Sequence, residues 1–170
     1  MREENIVLIG MPWSGKSTVG VLLAKSLQWN FIDTDLLIQS DMGKSLQQII
    51  DEQGVVEFRH VEEQYVLSIH PEKSVIATGG SVVYSDRAME HLKNLGTIIY
   101  LQYPFEEINR RARSVDERGL VRTKGQTLFD LYQERTPMYE RWAEIAIRCN
   151  QQSHEQVVER ILSAIDVKYL

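Results

Sequence analysis

The sequence predicts an α/β fold, a three-layer sandwich with a five-stranded parallel sheet between helices, on three observations. Short aliphatic runs of strand length alternate with longer segments of helical apolar spacing. The first run, Asn5 to Gly10, leads through a glycine-rich loop into a helical segment with apolar residues at Val19, Leu22, Leu23 and Leu27. The later crossovers hold a dozen or more residues, enough to return the chain in the same direction and to cover both faces of the sheet.

The elements follow in order. Asn30 to Asp33 fits a second short strand. Ser45-Leu46-Gln47-Gln48 and Ser153-His154-Glu155-Gln156 read as capping boxes, in which the Ser and Gln side chains satisfy free N–H groups at a helix start. Val55 to His70 is a long helical segment, Ser74 to Thr78 a strand ending in Gly79-Gly80, Asp86 to Leu95 a helix closed by Gly96, and Thr97 to Leu101 a strand. Pro104 can start the next helix, which runs to about Arg113. A polar stretch without apolar periodicity follows, making residues 112–125 a candidate lid. A helix from Gln126 toward Tyr139, a strand from Ile145 to Arg148 and a last helix complete the chain. Pro137 is expected to end or kink its helix near Thr136.

Composition bounds the function. Hydrophobic residues at 43% and charged residues at 25% leave no case for disorder, and 170 residues suit one domain over 1–170. A formal net charge of −5 lacks the basic footprint of a nucleic-acid or anionic-lipid binder. The lone Cys149 cannot form an internal disulfide, and the four histidines have no zinc-ligand spacing. His60, His70, His91 and His154 are accordingly read as surface or satisfied helix residues. Ile6 to Ile9 is too short for a signal core or a membrane span. The expectation is a soluble cytoplasmic protein without nucleic-acid or membrane partners.

The strongest motif is Gly10-Met11-Pro12-Trp13-Ser14-Gly15-Lys16-Ser17, a match to G-x-x-x-x-G-K-[ST] between an apolar strand and a helix. Glycines let such a loop wrap phosphates, its N–H groups and the helix N-terminus supply positive potential, Lys16 meets the β and γ phosphates, and Ser17 can ligate Mg²⁺. A nucleoside triphosphate is thus the expected ligand, held from Gly10 through Thr18, with Trp13 as hydrophobic cover. Asp33-Thr34-Asp35 follows the second strand at the carboxyl edge, where ligands of open α/β sheets collect, and its two carboxylates can divide labour between metal and acceptor. Helix capping is the bland alternative for either one. Arg59 is either a ligand for an acid or an i,i+4 partner of Glu63. Gly79-Gly80 allows close backbone approach or simply makes a turn.

Together, Gly10 to Ser17, Asp33-Thr34-Asp35, Glu57-Phe58-Arg59, Gly79-Gly80, Arg118 and Glu134-Arg135-Thr136-Pro137-Met138-Tyr139 resemble the shikimate kinase family in order and spacing, over nearly the whole chain. The resemblance implies a nucleoside-monophosphate-kinase-like sheet in the order 2-3-1-4-5, substrate-binding helices over about 34–61, and ATP-dependent phosphorylation of the 3-hydroxyl of shikimate by a monomer. It implies that Arg59 and Arg135 hold the acid's carboxylate, a match for a planar guanidinium fork. It also implies that Asp35 binds ring hydroxyls and serves as base, that Asp33 joins Ser17 at Mg²⁺, and that Gly79 and Gly80 face the acceptor. Arg118 would balance charge on the transferring group from the lid, and Arg111 and Gln152 would flank adenine.

The chain departs from the family pattern at Ser81, where a third glycine is usual, at Gly119 after the lid arginine, and at Gln152 in place of a second adenine-side arginine. A serine beside the acceptor must turn its hydroxyl to water, metal-bound water or ligand. Two other readings remain open at this stage: a P-loop kinase for another hydroxy acid such as gluconate, and a non-catalytic nucleotide-dependent binding module.

Overall fold

The computed structural model describes residues 5–114 and 120–169. Strands β1 (Ile6–Ile9), β2 (Asn30–Asp33), β3 (Ser74–Ala77), β4 (Thr97–Gln102) and β5 (Ile145–Arg148) form one sheet in the order β2-β3-β1-β4-β5. Every neighbouring pair is parallel. The helices are α1 (Lys16–Leu27), α2 (Thr34–Met42), α3 (Leu46–Ser68), α4 (Asp86–Leu95), α5 (Phe105–Arg113), α6 (Leu128–Trp142) and α7 (His154–Tyr169). A 3-10 turn at Val82–Tyr84 follows β3. α1 packs on α7 and against β1, β2 and β3, whereas α3 packs on α4, and α4 and α6 meet β4. No helix among the described residues is long and apolar enough to cross a membrane.

Val7, Leu8 and Ile9 of β1, Val75 and Ile76 of β3, and Ile98 and Ile99 of β4 have no solvent exposure. Burial on both faces is why these strands read as unbroken aliphatic runs, while the outer strands β2 and β5 keep exposed positions. The register is tied at the amino edge by Asn5, itself buried. Its amide donates to Pro71 O (2.8 Å) and Leu95 O (3.0 Å), its Oδ1 accepts from Ser74 N (2.9 Å), and its carbonyl accepts from Thr97 N (2.9 Å). Asn5 thereby ties the starts of β1, β3 and β4 together through its side chain and its backbone carbonyl. Ile6 faces Val75 on one side and Thr97 on the other.

Local signals set most boundaries. Both expected capping boxes form: Ser45 and Gln48 exchange bonds of 3.2 and 2.8 Å, and Ser153 and Gln156 bonds of 3.3 and 2.9 Å. The expected helices after Ser45 and from Val55 meet at Gly54, whose φ of 85° breaks the helical path within α3. α6 begins two residues later than expected because Thr127 and Asp130 form a third capping box.

Of the two outcomes expected at Pro137, an end or a kink, the end does not occur, for α6 runs on to Trp142. The missing N–H frees only the Gln133 carbonyl, and both residues lie on the exposed side of the helix, where water can take that acceptor. Of the expected lid, residues 115–119 fall outside the described residues, and with them Arg118. Leu120 and Val121 return buried.

Gly96 closes α4 with an extended backbone (φ −173°), so its conformation does not demand glycine. Space does: a Cβ would lie 2.2 Å from Asn5 O and 2.5 Å from Asn5 C. Gly96→Ala should therefore cost about 1–3 kcal/mol of stability, as overpacking against backbone does. A urea titration should show a lower midpoint with unchanged slope, and an unaltered midpoint would contradict the close packing.

Candidate active site

The carboxyl ends of β1, β2 and β3 and the start of α1 enclose a cavity of about 290 Å³ whose lining includes Lys16, Asp35, Phe58, Gly80, Ser81 and Arg135. The glycine-rich loop forms its floor. Gly10 (φ 148°) and Gly15 (φ 79°) take backbone conformations open to glycine, and Trp13 (φ 63°) takes a left-handed one that side chains rarely adopt. Trp13 packs partly buried against the main core, as hydrophobic cover should. Lys16 is buried, and its ammonium donates to Gly10 O (2.9 Å), Met11 O (2.8 Å) and Ser14 Oγ (3.3 Å). Burial pulls its pKa from 10.5 down to about 8, against the opposing pull of the Asp35 and Asp33 carboxylates.

Asp33 does two jobs at once. Its Oδ1 caps α2 by accepting from Asp35 N (3.0 Å) and Leu36 N (3.2 Å), while Oδ2 accepts from Ser17 Oγ at 2.5 Å. The structural and metal-side readings of Asp33 are therefore compatible, because they use different oxygens. Among the described residues no cluster of three or more His, Cys, Asp or Glu side chains is placed to hold a metal ion.

Asp35 has a neighbour that sequence reasoning missed. Glu62 on α3 is 2% exposed, and one of its oxygens, Oε1, is buried without a hydrogen bond among the described residues. A Cβ on Gly79 would lie 2.3 Å from that Glu62 Oε1 and 2.7 Å from Asp35 Oδ1. Gly79 is thus glycine because two carboxylates occupy the space of its missing side chain. Burial pushes Asp35 from 3.8 up to about 6, helped by the Asp33 charge, and pushes Glu62 from 4.5 up to about 7, helped by the Asp35 charge. The Ser81 hydroxyl, expected to turn to water or ligand, instead donates to Glu62 Oε2 at 2.6 Å. The signal for Glu62 was local: it stands three residues after Arg59 and so shares its helix face.

Arg135 is 1% exposed and reaches the cavity from α6. Its Nη2 donates to Val121 O, its Nε donates to Tyr84 Oη (3.4 Å), and a Cβ on Gly80 would lie 3.0 Å from its Nη1. Tyr139 donates to Gly80 O (2.6 Å), which fixes the backbone on that wall. Arg59 is not in this cavity. It lines an adjoining one of about 350 Å³ with Glu62, Glu63, Ser81 and Tyr84. Its expected partner Glu63 is engaged by Ser85 (2.5 Å) and Arg87 (3.2 Å) instead.

On the other side of the loop, Trp13, Gly15, Arg111, Gln152 and His154 line an open cavity of about 490 Å³. Arg111 donates to Trp13 O (3.2 Å) and to Glu107 (2.8 Å) and stacks on Tyr103. Arg110 and Arg111 together hold the Glu107 carboxyl down at about 2. Gln152 accepts from Asn150 N at 2.8 Å within its own turn. His154, read from sequence as a residue without a site role, lies against the loop: its Nε2 is 2.9 Å from where a Gly15 Cβ would be. The β5–α7 connection returns to the same sheet edge as the loop, and only the sheet order makes that visible.

A parallel sheet with a phosphate-binding loop after its first strand, a buried lysine in that loop and carboxylates at the tip of the neighbouring strand define a P-loop phosphotransferase. The shikimate kinase family model matches residues 12–166, so the chain belongs to the shikimate kinase family. A shikimate kinase from Persephonella marina is 35% identical over 163 residues, covering 95% of this chain and 99% of that protein. The solved shikimate kinase from Acinetobacter baumannii in complex with shikimate superposes with a TM-score of 0.88 at 32% identity, covering 99% of this chain and 96% of that one. The shikimate kinase of Aquifex aeolicus superposes with a TM-score of 0.82 at 33% identity over 97% and 98%.

The paired carboxyls set a pH dependence. Their folded pKa values lie above the unfolded ones, so between about pH 4.5 and 7 the folded protein holds protons that the unfolded chain has released. Stability from this source is present below that window and is lost as pH rises through it. Urea midpoints of the ligand-free protein should fall from pH 5 to pH 8, and Glu62→Gln should flatten the decline. A midpoint rising steadily across this range in the wild type would contradict the assignment.

Proposed function

We propose that this protein transfers the γ-phosphoryl group of ATP to the 3-hydroxyl of shikimate, forming shikimate 3-phosphate on the route through chorismate to the aromatic amino acids. The observation that carries the reading is one small cavity in which the Asp35 carboxyl, the loop lysine Lys16 and the buried Arg135 meet. Family membership and the shikimate bound by the Acinetobacter baumannii relative support the choice of acceptor.

In this reading Arg135 and Arg59 receive the acid's carboxylate, and the Gly79-Gly80 backbone faces the ring. Asp35 binds ring hydroxyls and takes the proton of the 3-hydroxyl as that oxygen attacks phosphorus, while the bond to the ADP oxygen breaks and ADP keeps the electron pair. The segment Gly10 to Thr18 cradles the phosphates through its N–H groups. Lys16 turns from the loop carbonyls to phosphate oxygens, which restores the charged form that burial disfavours. Arg111 and Gln152 flank the adenine, and Arg118, in a lid over 112–125, balances charge on the transferring group.

Ser17 and Asp33 would hold Mg²⁺. Their oxygens, 2.5 Å apart, form a hard donor pair suited to an ion that takes one or two protein oxygens and completes its shell with phosphate and water. Held there, Mg²⁺ would supply positive charge to offset that of the nucleotide phosphates. The same reading makes the protein a cytoplasmic monomer acting on small molecules as a single domain.

A screen of small hydroxy acids by coupled ADP release tests the function: shikimate should be the acceptor, and transfer to gluconate with none to shikimate would overturn the reading. Asp35→Asn keeps size and removes the carboxylate, so kcat for shikimate should fall about 10²-fold or more. A change limited to KM for ATP would instead make Asp35 a nucleotide-side residue.

A further inference from the structure

The two arginines assigned to the acceptor's carboxylate come from different helices, Arg59 from α3 and Arg135 from α6, and the 3-10 turn Val82–Tyr84 packs against both helices. Tyr84 is their common neighbour. The guanidinium carbon of Arg59 sits 3.7 Å from the centre of the Tyr84 ring, and that of Arg135 sits 5.2 Å from it. The Tyr84 hydroxyl donates to Glu134 and accepts from Arg135 Nε. Arg59 makes no ion pair among the described residues, and its Nε is buried without a hydrogen bond among them.

Two cations converging on one small anion repel each other until the anion arrives. A carboxylate partner would relieve the repulsion but would also occupy the planar N–H fork that must grip the ligand. An aromatic face attracts a guanidinium through its quadrupole and leaves the N–H edge unused. Two carboxylates stand near Arg59 on α3: Glu63 is drawn off by Ser85 and Arg87, while Glu62, which feels the charge of both arginines, accepts from Ser81 and forms no ion pair with either among the described residues. We propose that Tyr84 is a positioning residue for acceptor binding, its ring holding Arg59 and its hydroxyl holding Arg135 through Nε, so that the N–H edge of Arg59 and Nη1 of Arg135 stay available to the acid's carboxylate. The inference rests on the shikimate reading above and adds to it the device that sets the arginine pair.

Tyr84 lines the Arg59 cavity and not the one that holds Lys16 and Asp35, so its effect belongs in acceptor binding rather than in the chemical step. Tyr84→Leu should raise KM for shikimate about tenfold, with KM for ATP within about twofold and kcat within about threefold of wild type. Tyr84→Trp, which restores an aromatic face, should recover most of the loss, and Tyr84→Phe, which removes only the hydroxyl, should raise KM for shikimate about threefold. Shikimate methyl ester, which carries no carboxylate charge, should show KM values within about twofold between wild type and Tyr84→Leu. Equal losses with acid and ester, a parallel loss in KM for ATP, or an unchanged or lower KM for shikimate in Tyr84→Leu would each overturn the proposal. Should Tyr84→Leu not fold, the contrast of Phe and Trp variants on acid and ester carries the same decision. Absence of shikimate turnover in the wild type would overturn the functional reading itself, whereas wild-type turnover with an indifferent Tyr84 would remove this inference alone.

Discussion

Lys16, Glu62 and Arg135 are charged side chains with 8%, 2% and 1% of their surface exposed, and Asp35 stands among them at the carboxyl edge of the sheet. Taking an ion out of water costs several kcal/mol even after relaxation, and an unpaired one is strongly destabilising. The molecule meets this constraint by mutual compensation. Backbone carbonyls of the loop take the Lys16 donors, Val121 and Tyr84 take those of Arg135, and Ser81 takes one oxygen of Glu62. What compensation leaves over appears as displaced pKa values, a lysine drawn down to about 8 and two carboxyls raised to about 6 and 7.

The scaffold exists to hold that corner still. Asn5 ties three strands together at the far edge, and at the near one Thr78 Oγ1 donates to Leu8 O (3.0 Å) and Gly79 N donates to Thr34 Oγ1 (3.3 Å). The glycines on this wall are there for room. At Gly79 the room is filled by two carboxylates, and at Gly80 by the Pro12 ring and Arg135. A side chain at either position would displace charged groups that have nowhere else to be satisfied. The bond of the Ser81 hydroxyl to Glu62 explains how this wall tolerates a serine.

Much of this was legible in the residues. The strand runs, the loop motif, the caps at Ser45 and Ser153 and the position of α1 follow from periodicity and local hydrogen bonding, which act over a few residues. Glu62 was within reach, being on the Arg59 helix face. Tyr84 and His154 were not, because each meets its site partner across a long stretch of chain and neither carries a local signature; Tyr139 was legible as part of a motif, but its bond to the Gly80 carbonyl was not. Whether α6 stops at Pro137 was not legible either: proline's cost in a helix depends on whether the freed carbonyl faces water, and that is settled by packing.

By itself the sequence determined an α/β chain with a nucleotide-phosphate loop and, by resemblance, the family to which it belongs, because backbone preferences and motif chemistry are carried by neighbouring residues. Only the tertiary structure decided which charges share a cavity, that Arg59 rests on Tyr84 rather than on Glu63, and that Ser81 answers to Glu62. Those choices depend on distances between elements far apart in the chain, and on the high cost of leaving any buried charge alone.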